Sequence, residues 1–140
     1  MSYDKEDLKE FMLKEIEIIQ DTIRRMALNS FMLKGWTVTL VAVTLLLKGT
    51  KYQVFIAFIP LLVFWFLDAY FLRQERLYRR LYNWVIQNRL RTDEFLFDMN
   101  VHRFKGEEQS RLRIMFSITL GWFYGSIFVL TLIYAVVILA

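Results

Sequence analysis

Two ionisable side chains interrupt the long apolar stretches of this 140-residue chain, Lys34 and Asp68. A carboxylate inside an apolar span has three chemical uses: a proton or ion relay, a pore-lining charge, or half of an ion pair that holds helices together. Lys48–Gly49–Thr50–Lys51 reads as a tight turn between two apolar blocks. A hairpin centred there sets Lys34 level with Trp65 and Asp68 level with Phe31. The two charges then differ in depth by three residues, about 4.5 Å at helical rise, so they are within reach of one another. Asp68 is also five residues from Arg73, about 7.5 Å from the charged edge of its block. The spacing therefore favours a membrane charge pair or interfacial anchor; a pore-lining role for Asp68 and Lys34 requires several copies of the chain.

The second candidate is cationic. Arg73, Arg76, Arg79, Arg80 and Arg89 follow Asp68 with no helix breaker between them. Leu77, Tyr78, Leu81, Trp84 and Val85 favour one side of this arm, and Arg76, Arg79, Arg80 and Gln87 the other. Glu75 and Arg79 form a favourable i, i+4 pair. A basic, aromatic amphipathic helix beside a span suits anionic lipid headgroups or a protein partner, so Arg73, Arg76, Arg79 and Arg80 are the candidate binding residues. Phosphate ligands use the same chemistry, but no phosphate-cradling loop accompanies the arm and no nucleic acid is expected. Asp98, Asn100 and His102 share one face if residues 95–110 are extended, as the alternation of Phe97, Met99 and Val101 suggests. One histidine and one carboxylate are too few for a metal, so no metal and no cofactor are expected. The GWFYGS run at Gly121 lacks a base and an acid, and the chain has no cysteine. Enzymatic activity, disulfides and thiolate chemistry are not expected.

The elements that position these residues are helices. Hydrophobic residues make up 56% of the chain, in three blocks near or above the roughly 20 residues that cross a hydrocarbon core. They are Phe31–Leu47, diluted by Lys34, Gly35 and three threonines, then Tyr52–Leu72 and Ile114–Ala140. The expected fold is an all-α integral membrane protein with three transmembrane helices and long cytoplasmic helical extensions. Its segments are a cytoplasmic amphipathic helix (1–30), a transmembrane hairpin (31–72), a basic helix with connecting segment (73–113) and a C-terminal span (114–140). Leu8, Met12, Ile16, Ile19, Ile23 and Met26 form one helical stripe. No Gly or Pro separates that stripe from the first span, which allows one long rod. The stripe suits packing on the 73–91 arm better than an oligomerising stalk. Pro60 is expected to bend the second span. Gly106 is expected to break the chain, with a helix opening at Glu107–Glu108 and running into the third span. There, Ser117, Gly121 and Gly125 lie four apart on one face, a spacing that lets helix backbones approach. They and Gly35 of span one are candidate packing residues, within one chain or between copies.

Charge sets the expected orientation. Of the Lys and Arg residues, six lie in 1–34, two in 48–51 and ten in 73–113. Cations collect on the cytoplasmic side of a membrane protein, which puts the N-terminus and the arm inside and the C-terminus outside. Residues 1–30 lack a compact apolar region with a small-residue cleavage site, so a cleavable signal peptide is not expected.

Two segments carry a family resemblance: RMALNSFMLKGWTVTLVA at Arg25–Ala42 and VFWFLDAYFLRQERLYRRLY at Val63–Tyr82. Together they resemble a widespread family of small bacterial multi-pass membrane proteins. The resemblance covers roughly residues 19–85, with Asn29-Ser30, Lys34-Gly35-Trp36, Asp68 and Arg73–Arg76 in its pattern. It implies a bacterial inner-membrane location and a link to anti-phage defence loci, including ones that encode TIR-domain proteins. The leading expectation is a homo-oligomeric pore-forming or membrane-disrupting effector, partnered by a cytoplasmic protein encoded nearby. The alternative is a non-conducting anchor or scaffold that recruits a cytoplasmic partner through the basic arm. A transporter subunit is disfavoured, because three spans with one carboxylate leave little room for a substrate site.

Overall fold

The computed structural model describes residues 3–47 and 49–140, and every regular element in them is helical. Lys48, the first residue of the expected turn, lies outside the described residues. Helix α1 runs unbroken from Lys5 to Leu46. Its N-terminus is fixed by Asp4, whose carboxylate accepts the Asp7 N–H at 2.8 Å, with Glu6 and Asp7 favourable in the first turn. The N-terminal stripe and the first span are therefore one rod. Its 42 residues extend about 63 Å at helical rise, twice the thickness of a hydrocarbon core.

The return path begins as a 3₁₀ helix, Lys51–Ala57, and becomes helix α2 at Phe58–Asn88. Pro60 thus sits in the first turn of α2, where a missing N–H removes no α-helical bond, and not at a mid-helix bend. The buried residues Leu61, Trp65, Ala69, Arg73, Leu77, Leu81, Val85 and Arg89 recur at every fourth position of this helix and its cap. A row with that spacing winds slowly around the helix, since four residues exceed one turn of 3.6. The buried face of α2 consequently meets α1 and α4 at one end and the 95–109 segment at the other.

Residues 92–110 do not form the extended segment that the alternating pattern suggests. Turns at 94–97 lead into a second 3₁₀ helix, Val101–Glu107, and Gly106 lies inside it. The alternation arises from local turns. Asp98 accepts the Asn100 N–H at 2.9 Å and Asn100 accepts the His102 N–H at 3.1 Å, side-chain bonds that compete with strand pairing. Nor does a helix run from Glu107 into the last span. Helix α3, Arg111–Met115, is capped by Ser110 and ends at Phe116. Ser117 then caps helix α4, Ile118–Leu139. Two serine caps in succession explain the break.

Two apolar cores result. One joins Val41, Ala57, Leu61, Trp65, Ala69, Ile114, Leu120 and Tyr124 across α1, the first 3₁₀ helix, α2, α3 and α4. The other joins Ile19 of α1 to Leu77, Leu81 and Val85 of α2 and to Val101. The N-terminal stripe is thus buried on the arm of the same chain. Among the described residues, three helical stretches are long and apolar enough to cross a membrane: α1, the continuous 51–88 helical run, and α4. The polar residues with structural roles lie between the two cores and beyond the second.

Candidate functional site: two buried charge networks

The first network lies beside the apolar core that joins α1, α2, α3 and α4. Asp68 is fully buried on α2, and three side chains from two other helices converge on it. Lys34 Nζ of α1 donates to Asp68 Oδ2 at 2.6 Å and to Ser30 Oγ at 2.8 Å. Ser30 Oγ donates to Asp68 Oδ1. Tyr124 of α4 donates its phenolic O–H to Asp68 Oδ2 at 2.8 Å. One carboxylate therefore ties all three long helices together. The register follows from helix geometry: Ser30 is nearly level with Asp68, and Lys34, one turn along, reaches back because side chains lean toward a helix N-terminus. The Lys34 ammonium keeps partial exposure and lies 6.0 Å from the Phe123 ring centroid. Asp68 is fully buried within the protein. Tyr124 covers it, and the Tyr124 ring stacks on Trp65 with centroids 5.9 Å apart. The Trp65 indole N–H donates to the Met115 carbonyl at 2.8 Å, which occupies a carbonyl exposed by the break after α3.

The second network lies at the far end of the α1–α2 pair. Glu15 and Arg89 form a two-pronged ion pair, Nε to Oε2 at 2.7 Å and Nη2 to Oε1 at 2.9 Å, with both side chains buried. Arg89 also donates to the carbonyls of Thr92, Glu94 and Phe95 at 2.9, 2.8 and 3.1 Å. Glu15 Oε1 accepts the Phe97 N–H at 2.8 Å. All the hydrogen-bonding capacity of the pair is directed at each other and at the chain reversal after α2. That reversal puts Phe95 and Phe97 at φ 55° and 53°, a region that residues with a bulky Cβ rarely adopt. Arg103 lies over the rings of Phe95, Trp84 and Phe104 at 4.2, 4.6 and 4.9 Å. Its guanidinium nitrogens are buried with no hydrogen-bond partner, so aromatic faces supply its compensation. Burial lowers the proton affinity of this guanidinium, opposed by the nearby Asp98 carboxylate. An arginine stays charged at any physiological pH regardless.

The cationic arm is largely occupied. Arg73 is buried, and its Nε donates to the Gln109 carbonyl at 3.0 Å. Arg80 donates to Glu108 Oε2 at 3.0 Å and to the Glu107 carbonyl at 2.6 Å. Arg76 approaches Glu108 at 3.8 Å. Arg79 chelates Glu75 Oε1 through Nε and Nη2 at 3.0 and 2.8 Å. Three of the four candidate lipid- or partner-binding arginines thus hold the 105–109 segment against α2, and the fourth is paired along its own helix.

No family model, curated protein or solved structure matches this chain.

The small-residue candidates are not packed against another helix. A Cβ added at Gly35 or Gly125 meets nothing within 4 Å, and one at Gly121 meets only the backbone of Phe116. Ser117 caps α4. Gly35 and Gly125 each leave open space where a Cβ would stand, so neither backbone is in close contact with another helix of this chain. Glu15, Ser30, Arg103 and Tyr124 are the participants that the chemical reading of the sequence did not single out. Glu15 carried a signal, since it lies among Leu8, Met12, Ile16 and Ile19 on the buried stripe. Tyr124 carried less, as one hydroxyl among many aromatic residues.

Proposed function

We propose that the chain is a three-pass protein of the bacterial inner membrane that serves as a non-conducting anchor. Its N-terminus and the Glu15–Arg89 end of the helix pair lie in the cytoplasm, its C-terminus lies outside, and the cytoplasmic end receives a soluble protein partner. The orientation rests on the sixteen Lys and Arg residues of segments 1–34 and 73–113 against two in the 48–51 turn. One observation carries the non-conducting reading: Asp68, the only carboxylate within the spans, has both oxygens occupied by side chains of its own chain. A charge so engaged offers nothing to a passing ion until three helices separate. The partner reading draws on apolar side chains displayed at the polar end, with Leu13, Ile18, Ile86 and Leu90 all more than 40% exposed. The partner reading takes these residues as part of a surface that another protein covers.

The homo-oligomeric pore is the second reading, favoured by the outward-facing small residues Gly35 and Gly125, which leave room for a second backbone. An anti-phage role with a TIR-domain partner rests on the family resemblance alone. Planar-bilayer recording of the purified full chain separates the two readings. The anchor gives no conductance for wild type or Asp68→Asn. Single-channel steps in wild type that change in Asp68→Asn would replace it with the pore.

A further inference from the structure

The arginines best placed by sequence to hold lipid phosphate are spent on the 105–109 segment and on Glu75, and the structure leaves a different pair free. Arg111 and Arg113 on α3 are exposed and form no ion pair among the described residues. Glu107 and Glu108 are engaged by Arg76 and Arg80, and no Asp or Glu follows them to the C-terminus. The Arg111 guanidinium lies over the Tyr70 ring at 5.1 Å and near that of Phe66 at 5.9 Å, which directs it along the aromatic flank of α2. Phe116, directly after α3, begins a groove of about 670 Å³ that follows the outer face of α4 to Leu130. Gly121, Trp122 and Gly125 are among its lining residues.

The groove makes no polar demand. Ser126 Oγ donates to the Trp122 carbonyl at 2.5 Å and Ser117 Oγ caps the Leu120 N–H at 3.5 Å. From Phe116 to Leu130 it runs about 21 Å at helical rise, enough to cover the roughly 15 Å of hydrocarbon in one leaflet. We propose that this groove seats an acyl chain of an anionic phospholipid whose phosphate is held by Arg111 and Arg113. Arg113 precedes Phe116 by three residues in sequence, and charges just before an apolar trough match a phospholipid better than a second α4 helix, which brings no anion to Arg111 and Arg113. The proposal rests on the reading of α4 as a membrane span.

Quenching of Trp122 by brominated lipid tests it. The full chain is reconstituted in mixed phosphatidylcholine and phosphatidylglycerol vesicles, with bromine on only one lipid at a time. Quenching by brominated phosphatidylglycerol should exceed its share of the mixture, with selectivity of about fivefold per arginine, as one cation near the surface provides. The excess should vanish in Arg111→Gln/Arg113→Gln and in Trp122→Phe. It should also fall in Gly125→Leu, which fills the trough where the native chain leaves open space and so keeps the fold. Equal quenching by the two lipids, or selectivity retained without the arginines, overturns the proposal. Disulfide dimers of Ser126→Cys together with a Trp122 shielded from both lipids would assign the groove to a second copy. No quenching of any tryptophan by either lipid would instead remove the membrane-span reading itself.

Discussion

Removing Arg89 should be the most damaging single change outside the spans, and the structure gives its size. Arg89→Met leaves the Glu15 carboxylate buried without its partner and strips donors from the Thr92, Glu94 and Phe95 carbonyls. Each hydrogen bond to a charged group contributes about 1.5–3 kcal/mol in isolation, but five such terms overlap and cannot be added. Breaking one side of a buried ion pair costs about 3–5 kcal/mol, and the three freed carbonyls put Arg89→Met at the upper part of that range. For a chain of this length a loss of about 4–5 kcal/mol is a fall of about 14–17 °C in Tm. Arg89→Lys keeps the charge but has no planar fork, so it can satisfy at most three of five acceptors and should cost about half as much. The assay is thermal unfolding of the purified chain in mild detergent, followed by fluorescence of Trp84, whose ring lies 5.4 Å from the Arg89 guanidinium. A cycle with Glu15→Gln should give a coupling of about 2–3 kcal/mol. A loss below about 1 kcal/mol for Arg89→Met, or additive single losses, would refute the claim that this pair organises the reversal after α2.

The spans should respond asymmetrically to loss of their own pair. Lys34→Met leaves Asp68 fully buried and should cost about 3–5 kcal/mol. Asp68→Asn should cost less than half of that in the same thermal assay, because Asn still accepts from Tyr124 and the partly exposed Lys34 ammonium can turn to polar surroundings. Within the arm, Arg73→Ala should open the 105–109 segment to protease and cost about 1–3 kcal/mol, since it strips a donor from the Gln109 carbonyl. Arg80→Ala, on a more exposed network, should cost no more than about 1 kcal/mol.

How far the sequence revealed this arrangement depended on the range of each signal. The α1 rod was legible because an apolar stripe and an apolar block share helical periodicity with no breaker between them. The proximity of Lys34 and Asp68 was legible because a short turn fixes the level of two antiparallel helices. The reversal after α2 was not legible. Phe95 and Phe97 adopt left-handed φ values that no local preference of phenylalanine supports; Phe97 is held by Glu15, 82 positions away, and Phe95 by Arg89, which is itself fixed by Glu15 across 74 positions. The alternation of 97–102 is a local pattern that distant contacts override. Arg73 and Arg89 were grouped with the exposed arginines by composition, whereas their i+4 register with Leu77, Leu81 and Val85 puts them on the buried row. Residue type suggested one environment and position dictated another, and position prevailed because each arginine found backbone carbonyls or a carboxylate to bind where it lay.

The placement of the two buried pairs has a consequence for how α1 and α2 stay in register. Helices in lipid gain nothing hydrophobic from one register over another, because lipid tails are as apolar as the partner helix. A leucine stripe outside the membrane also tolerates a slip of one turn at modest cost. Lys34–Asp68 and Glu15–Arg89 do not tolerate it, since a slip leaves two buried charges and several carbonyls unpartnered at each end. They lie nineteen residues apart on α1 and twenty-one on α2, about 28 and 32 Å along the helices. Two pins so far apart fix both the axial register and the relative rotation of the pair. A single pin would leave the far end free to splay. Both pins are expensive as sources of stability alone, and their joint effect on alignment is the stronger physical reason for burying Glu15, Asp68 and Arg89 and largely covering Lys34.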